Sequence, residues 1–456
     1  MIIPAHTSEA KTVPFIREVP IIGSLRNFTH DQLRFFERLA AEGDICGFHM
    51  GPITMILLNK AEYVQSVMVE YAYDYFSKSR ISRRFTQREA LFFSLGNTHR
   101  QRRKVMAPMF QPRHITHYAD TIVQYAEERA RSWNDKENID IKEQMADLTM
   151  SIIVKVLFDV DNPRRVSELL DAFVVGYKHT ARRTRSFTLP ESWPTAYNRH
   201  VHEAKSFLDH SIDAMILERR GNQPEDPQIS NRLDMLSVLS DTLDEDGNRV
   251  SSLRIIDEFV ALIGAGYETT MAALSWTWYF LCENPEIYKQ VQQEVQDALQ
   301  GQKATVKDLA RLPLCLQVFK EAMRIYPPVP FILRETLEDV TIDGYRIPKG
   351  ASLLVSPYTM HRKAEYFPDP YQFNPDRFSA ENERLQPRNA YLPFGAGPQI
   401  CIGNHFVLMM GQLLVATLAQ HVTFSLIPGQ HVAPDPSQNI TLCPNGKLAA
   451  VVQKNA

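Results

Sequence analysis

The 456-residue sequence is poor in the signals that would settle its function at once. It has five cysteines, Cys46, Cys282, Cys315, Cys401 and Cys443, and no CxxC pair among them. That scatter argues against a zinc site or a disulfide framework and for a reducing compartment, the cytoplasm. Neither sign of charge dominates: 50 Lys+Arg face 53 Asp+Glu, for a net charge of −3. Nucleic acid is therefore not an expected partner. Internal repeats, low-complexity blocks and a signal-peptide pattern are all missing. The most apolar window, Phe259–Cys282, is long enough to span a membrane, but it carries Glu268 and two threonines near its middle. It reads as a buried helix, and no membrane anchor is expected. Glycine numbers only 19, yet three fall within the ten residues FGAGPQICIG, Phe394–Gly403, around one cysteine.

Helical periodicity dominates what is present. Leu33–Ala41, Ile122–Trp133, Met145–Phe158, Val201–Glu218 and Pro285–Leu299 read as amphipathic helices. Strand signals are confined to Cys46–Asn59 with its Gly51-Pro52 turn, VTIDGYRI at Val340–Ile347, and the tail Ile440–Val452 with Asn445-Gly446. Arg219–Asn248 is the most linker-like stretch, and its DEDGN piece reads as an acidic surface turn. Length alone suggests two or three domains.

Cys401 precedes a strong helix pattern, IGNHFVLMMGQLLVATLAQHV. Free N–H groups and the dipole at a helix start stabilise an anion, so a lowered thiol pKa is expected there. A thiolate is a nucleophile or a metal ligand. His405 is the nearest base in sequence, but it lies inside the helix pattern without an orienting partner. Gly395, Gly397 and Gly403 would let a broad flat group lie against the backbone.

The spacing Phe394-x-x-Gly397-x-x-x-Cys401-x-Gly403 resembles the haem-binding loop of the cytochrome P450 family. Three further motifs carry the same resemblance in the same order. GNTHRQRRKV holds His99 and Arg103 four residues apart, AGYETT holds Glu268-Thr269, and Glu321-x-x-Arg324 precedes FNPDRF with Arg377. The resemblance implies a mainly α-helical fold with a smaller β-rich region, as one haem domain over residues 1–456. The β-rich parts would lie near 46–59, 330–356 and 440–452, and no fused reductase is expected. It implies haem b, with Cys401 as the iron ligand and Phe394 beside the sulfur. His99, Arg103 and Arg334 would serve the propionates, and Ala265, Gly395 and Gly403 the ring. Glu268 and Thr269 would be catalytic: Thr269 holding oxygen and a water, Glu268 relaying protons. Glu321, Arg324 and Arg377 would be structural. Gln399 departs from the pattern, which usually has arginine or histidine there. Arg100, Arg102 and Lys104 read as a solvated face that also suits docking of an acidic donor.

The implied reaction is insertion of one atom of O2 into a hydrophobic small molecule such as a fatty acid, terpenoid or polyketide. Electrons would come from a separate ferredoxin or flavodoxin, and the protein would be a monomer. The apolar pocket would be walled by Phe92, Phe93, Leu95, Ala261, Ala265, Phe331, Ile332 and Leu442, with Arg80, Arg83 and Arg84 as candidate carboxylate anchors. A peroxide-driven haem-thiolate enzyme and a non-catalytic haem sensor or carrier are the alternatives.

Overall fold

In the computed structural model, the apolar window lies within one helix of 32 residues, Ser252–Glu283. Ser251 starts it by accepting the N–H of Arg254, one of the donors that a helix start leaves free. It gives way at Asn284 to the helix Pro285–Leu299, where proline suits the first turn. Trp276 and Trp278 are fully buried along its C-terminal half. The structure describes residues 2–4, 10–17, 19–79, 90–160, 163–185, 190–221, 234–244, 247–435 and 441–455.

Two glycines inside this central helix each cost about 1 kcal/mol relative to alanine. Their reason is close approach of neighbours. A Cβ on Gly266 would lie 2.9 Å from Ile153 Cδ1, on the helix Ile141–Phe158. One on Gly264 would lie 3.4 Å from Phe173, on the helix Pro163–Arg185.

The amphipathic readings match helices Gln32–Glu42, Ala119–Ser132, Ile141–Phe158, Ala196–Gly221 and Pro285–Leu299. Helix predominates, with smaller sheets beside it. The largest sheet runs Ile45–Met50, Ile53–Leu58, Ser352–Val355, Ile332–Thr336, Phe76–Lys78. Ser352–Val355 lies parallel to Ile53–Leu58 and antiparallel to Ile332–Thr336. The last pairing sets Lys78 directly opposite Arg334. Val340–Ile342 and Tyr345–Ile347 form the hairpin read from Asp343-Gly344, both of which have positive φ.

The tail differs from its hairpin reading. Cys443–Pro444 pairs with Pro434–Asp435, whereas Ala449–Lys454 pairs with Val422–Leu426 and Asn138–Asp140. Asn445 is spent instead on Ala433, accepting its N–H at 2.8 Å and donating its own to that carbonyl. In the acidic turn, Asp244 bonds Asn248 and a bridge joins Leu243 to Arg249. Among the described residues no helix is long and apolar enough to cross a membrane.

Candidate active site

The site is supported from below by a fully buried ion pair. Arg324 donates to both oxygens of Glu321, at 2.6 and 2.9 Å. Arg377 Nε lies 3.4 Å from Glu321, and the N–H of Asn374 donates to the same carboxylate at 2.9 Å. One Arg324 nitrogen donates to the carbonyls of His361 and Pro370. His361 carries the connection onward. Its Nε2 accepts the N–H of Leu392 at 2.7 Å, and its Nδ1 lies 3.1 Å from the carbonyl of Arg324. An amide N–H can only donate, so Nε2 is bare and the proton sits on Nδ1. Burial, with help from Arg324, pushes the imidazole pKa down to about 3, and the ring is neutral. Nothing in the sequence marked His361: its neighbours in the bond network are 31 and 37 residues away.

Two residues beyond Leu392 the cysteine loop begins. Cys401 N–H donates to Phe394 O at 2.9 Å, closing the loop around a short turn at Gly397–Gln399. Gly395 and Gly397 have φ of +74° and +69°. A Cβ on Gly397 would fall 1.8 Å from the carbonyl oxygen of Met68. This chain's own backbone therefore explains that glycine, and the nearest side chain to Gly403 is Phe110. The Cys401 side chain is exposed, and the loop around it is half-buried, with Ala396 buried. The expected lowering of the thiol pKa is not found. The helix Asn404–His421 starts three residues later, and desolvation raises the pKa more than the Gly403 N–H and Arg103 lower it. A thiolate here needs a cation bound at the sulfur. His405 is exposed, and its backbone N–H bonds Asn404.

Beside the loop lies a cluster of cations. His99 and Arg103 share the helix Gly96–Met106. Arg103 donates to Ile400 O at 2.7 Å, next to Cys401. His99 is buried, with Nδ1 3.0 Å from Tyr73 Oη. Burial and then Lys78, Arg103 and Arg334 push its pKa down to about 4, so it serves as a neutral group. Arg334 is 5% exposed and its Nε has no hydrogen-bond partner; burial pushes its pKa down to about 10. Gln399 Oε1 is likewise buried without a partner. Lys78, unmarked in the sequence, joins this cluster from the strand edge. The basic run divides: Arg100 and Lys104 are exposed, but Arg102 is buried against Glu258 at 3.5 Å, contrary to a solvated reading.

On the central helix, Ala265 is exposed and Ala261 and Thr269 partly so, although protein surrounds the helix flanks. Thr269 Oγ1 donates to Ala265 O at 2.6 Å. Ala272, three residues further along the same face, is fully buried. Glu268 is 3% exposed and receives a hydrogen bond from the Tyr177 hydroxyl, so its carboxylate is turned to the helix Pro163–Arg185. Phe92 is 61% exposed and edge-on to Phe93, while Phe93 and Leu95 are partly exposed. Ile332 reaches toward Gly395. Phe331 packs edge-on against Phe28 and Phe36. Leu442 is 0% exposed, packed with Leu33 and Tyr358 in the core. Arg80, Arg83 and Arg84 lie outside the described residues.

An open thiol, a rim of mutually repelling cations and a small-residue helix face fit what a haem-thiolate site needs. Among the described residues the buried Arg334 Nε lacks an acceptor, and Lys78, Arg103 and Arg334 all press the His99 pKa down. Two propionates fit that need. The chain belongs to the cytochrome P450 family, whose model matches residues 13–450. It is 31% identical to cyclooctatin synthase of Streptomyces melanosporofaciens over 93% of both chains. Cyclooctat-9-en-7-ol 5-monooxygenase of the same organism is 28% identical, over 90% of this chain and 89% of that one. In fold it is similar to the retinoic acid-bound cyanobacterial CYP120A1, with a TM-score of 0.84, 23% identity and coverage of 98% and 100%. The protein is a cytochrome P450 monooxygenase with haem b as cofactor.

Proposed function

We propose that this monooxygenase hydroxylates a terpenoid-like hydrocarbon in the cytoplasm, with electrons from a separate ferredoxin or flavodoxin. The carrying observation is the open face Ala261–Ala265–Thr269, which is free of charged side chains and flanked on the same helix by the buried Phe259, Ile263, Glu268 and Ala272. Relatives named for an alkenol and for an alkene, the latter pentalenene oxygenase at 27% identity, support the substrate class. Cys401 would hold the haem, which would supply oxygen activation when bound, with the thiolate ligand favouring O–O cleavage. Overall, R–H, O2, two electrons and two protons become R–OH and water.

The chain's own residues supply the rest. Phe93, Leu95, Ala261 and Ile332 give the pocket apolar walls that hold a hydrocarbon and exclude water. Thr269 presents a hydroxyl that can leave Ala265 O and donate toward the pocket. Glu268, bonded to the Tyr177 hydroxyl, forms a proton route from the adjacent helix. The ion pair and His361 hold the Cys401 loop in place.

The test has two arms. Reduced protein with carbon monoxide should show the red-shifted thiolate band, and Cys401→Ser should lose it. Hydrocarbon libraries should then be screened for substrates that displace the haem's water ligand, followed by product analysis. Product from O2 with an electron donor supports the reading. Product from peroxide alone, or none with any reducing system, rejects it.

A further inference from the structure

Glu258 lies in the second turn of the central helix, outside the cysteine loop and the acid–threonine pair. At about 100° per residue it shares a face with Ala261, Ala265 and Thr269, which follow three, seven and eleven positions on. Ala265 is thus about 10 Å further along that face. The face is open at Ala265 and partly open at Ala261 and Thr269, yet Glu258 is 5% exposed.

The turn Ala90–Ser94 meets the helix there. Leu91 N–H donates to Glu258 Oε2 at 2.8 Å, and both Ala90 and Leu91 are buried. The other oxygen, Oε1, lies 3.5 Å from Arg102 Nη1 and has no hydrogen-bond partner among the described residues. Arg102 sits on the helix Gly96–Met106, which begins just after the turn. One carboxylate therefore ties the turn and the helix that follows it to the central helix. Burial raises the Glu258 pKa, while Leu91 N–H, Arg102 and Arg254 hold it down. Within the turn, the N–H groups of Phe93 and Ser94 close on Ala90 O at 2.9 and 3.0 Å. Phe92 and Phe93, their rings edge-on at 4.9 Å, are carried by this turn.

We propose that Glu258 is a positioning residue for the Phe92–Phe93 wall: by accepting Leu91 N–H it sets how that wall closes one end of the open helix face, and with it the length of hydrocarbon the pocket admits. This rests on the haem-thiolate reading. The competing role is electrostatic, a carboxylate kept only to neutralise Arg102. The two roles ask different things of the side chain. Neutralising Arg102 needs charge, whereas holding Leu91 N–H needs an acceptor at the right reach. Glu258→Gln keeps the reach and an acceptor but loses the charge. Glu258→Asp keeps the charge but is one methylene shorter.

Both variants and wild type should be compared as haem-loaded enzymes. Optical titration gives the Kd of imidazole and of 1-octylimidazole. Both coordinate the haem iron, and only the second has a tail that extends along the pocket wall, so their ratio reports the wall. Site-resolved hydrogen exchange reads the Leu91 amide directly. Glu258→Asp should weaken 1-octylimidazole about tenfold relative to imidazole and speed Leu91 exchange by about as much, the worth of one hydrogen bond to a charged group. Glu258→Gln should be less stable, because the buried Arg102 loses a counter-charge, yet keep the ratio and the exchange rate within about threefold of wild type. A wild-type ratio in Glu258→Asp overturns the proposal, as does a ratio that moves without faster Leu91 exchange. So does a Glu258→Gln protein more perturbed in both than Glu258→Asp, the mark of charge neutralisation alone. If Glu258→Gln does not fold, the contrast of wild type with Glu258→Asp still decides. A wild type with no spectral response to imidazole would instead be a failure of the haem-thiolate reading.

Discussion

Replacing His361 with phenylalanine keeps the ring in its packing against Phe367 and Tyr391 but removes both ring hydrogen bonds. It strands Leu392 N–H and Arg324 C=O in a fully buried place, at about 1–3 kcal/mol each. The variant should therefore lose about 2–6 kcal/mol at pH 7.5. The pH dependence is more diagnostic. The folded-state pKa is depressed from 6.5 to about 3, so the neutral ring's contribution is complete above 6.5 and lost as pH falls toward 3. At pH 5 the wild type should have lost about 2 kcal/mol from this group, roughly 1.5 units at 1.36 kcal/mol each. Phenylalanine has nothing to titrate, so the gap between the two proteins should narrow by that amount. Guanidinium unfolding at pH 7.5 and 5 reads it, and the reduced carbon monoxide spectrum shows whether the cysteine loop shifts. His361→Gln, which can both donate and accept, should recover part of the loss. A gap that is absent, or constant between the two pH values, would show that His361 is not the neutral bridge described.

Gly397→Ala should destabilise by about 3 kcal/mol or more, because a Cβ meets Met68 O at 1.8 Å and φ is +69°. Normal expression and melting temperature would contradict the close approach. Thr269→Ala should keep haem and substrate binding while diverting electrons to hydrogen peroxide, and unchanged product per electron would count against the hydroxyl's role. Gln399→Arg should raise the reduction potential, since a cation favours the reduced state. Lys78, Arg103 and Arg334 already bring positive charge to His99, so the rise should be well below the roughly 2 kcal/mol of a unit charge at ~8 Å. An unshifted or lowered potential in redox titration refutes it.

Sequence and structure divide the account by the range of the interactions involved. The residues by themselves determined the helices whose apolar period is local, such as Pro285–Leu299, and the Asp343-Gly344 hairpin, because turn chemistry and helix periodicity act over a few positions. They also determined the cysteine loop, the acid–threonine pair and the Glu321–Arg324 spacing, since each lies within about ten consecutive residues. Only the tertiary structure decided what meets those motifs. The tail's Asn445 chose Ala433 over a hairpin, Leu442 went into the core, and Gly266 turned out to face Ile153. Lys78 and His361 carried no local signal, because their partners come from distant strands and loops. The thiol pKa is the sharpest case. Helix proximity is legible in sequence, but desolvation depends on everything packed around Cys401, and here it outweighs the helix start.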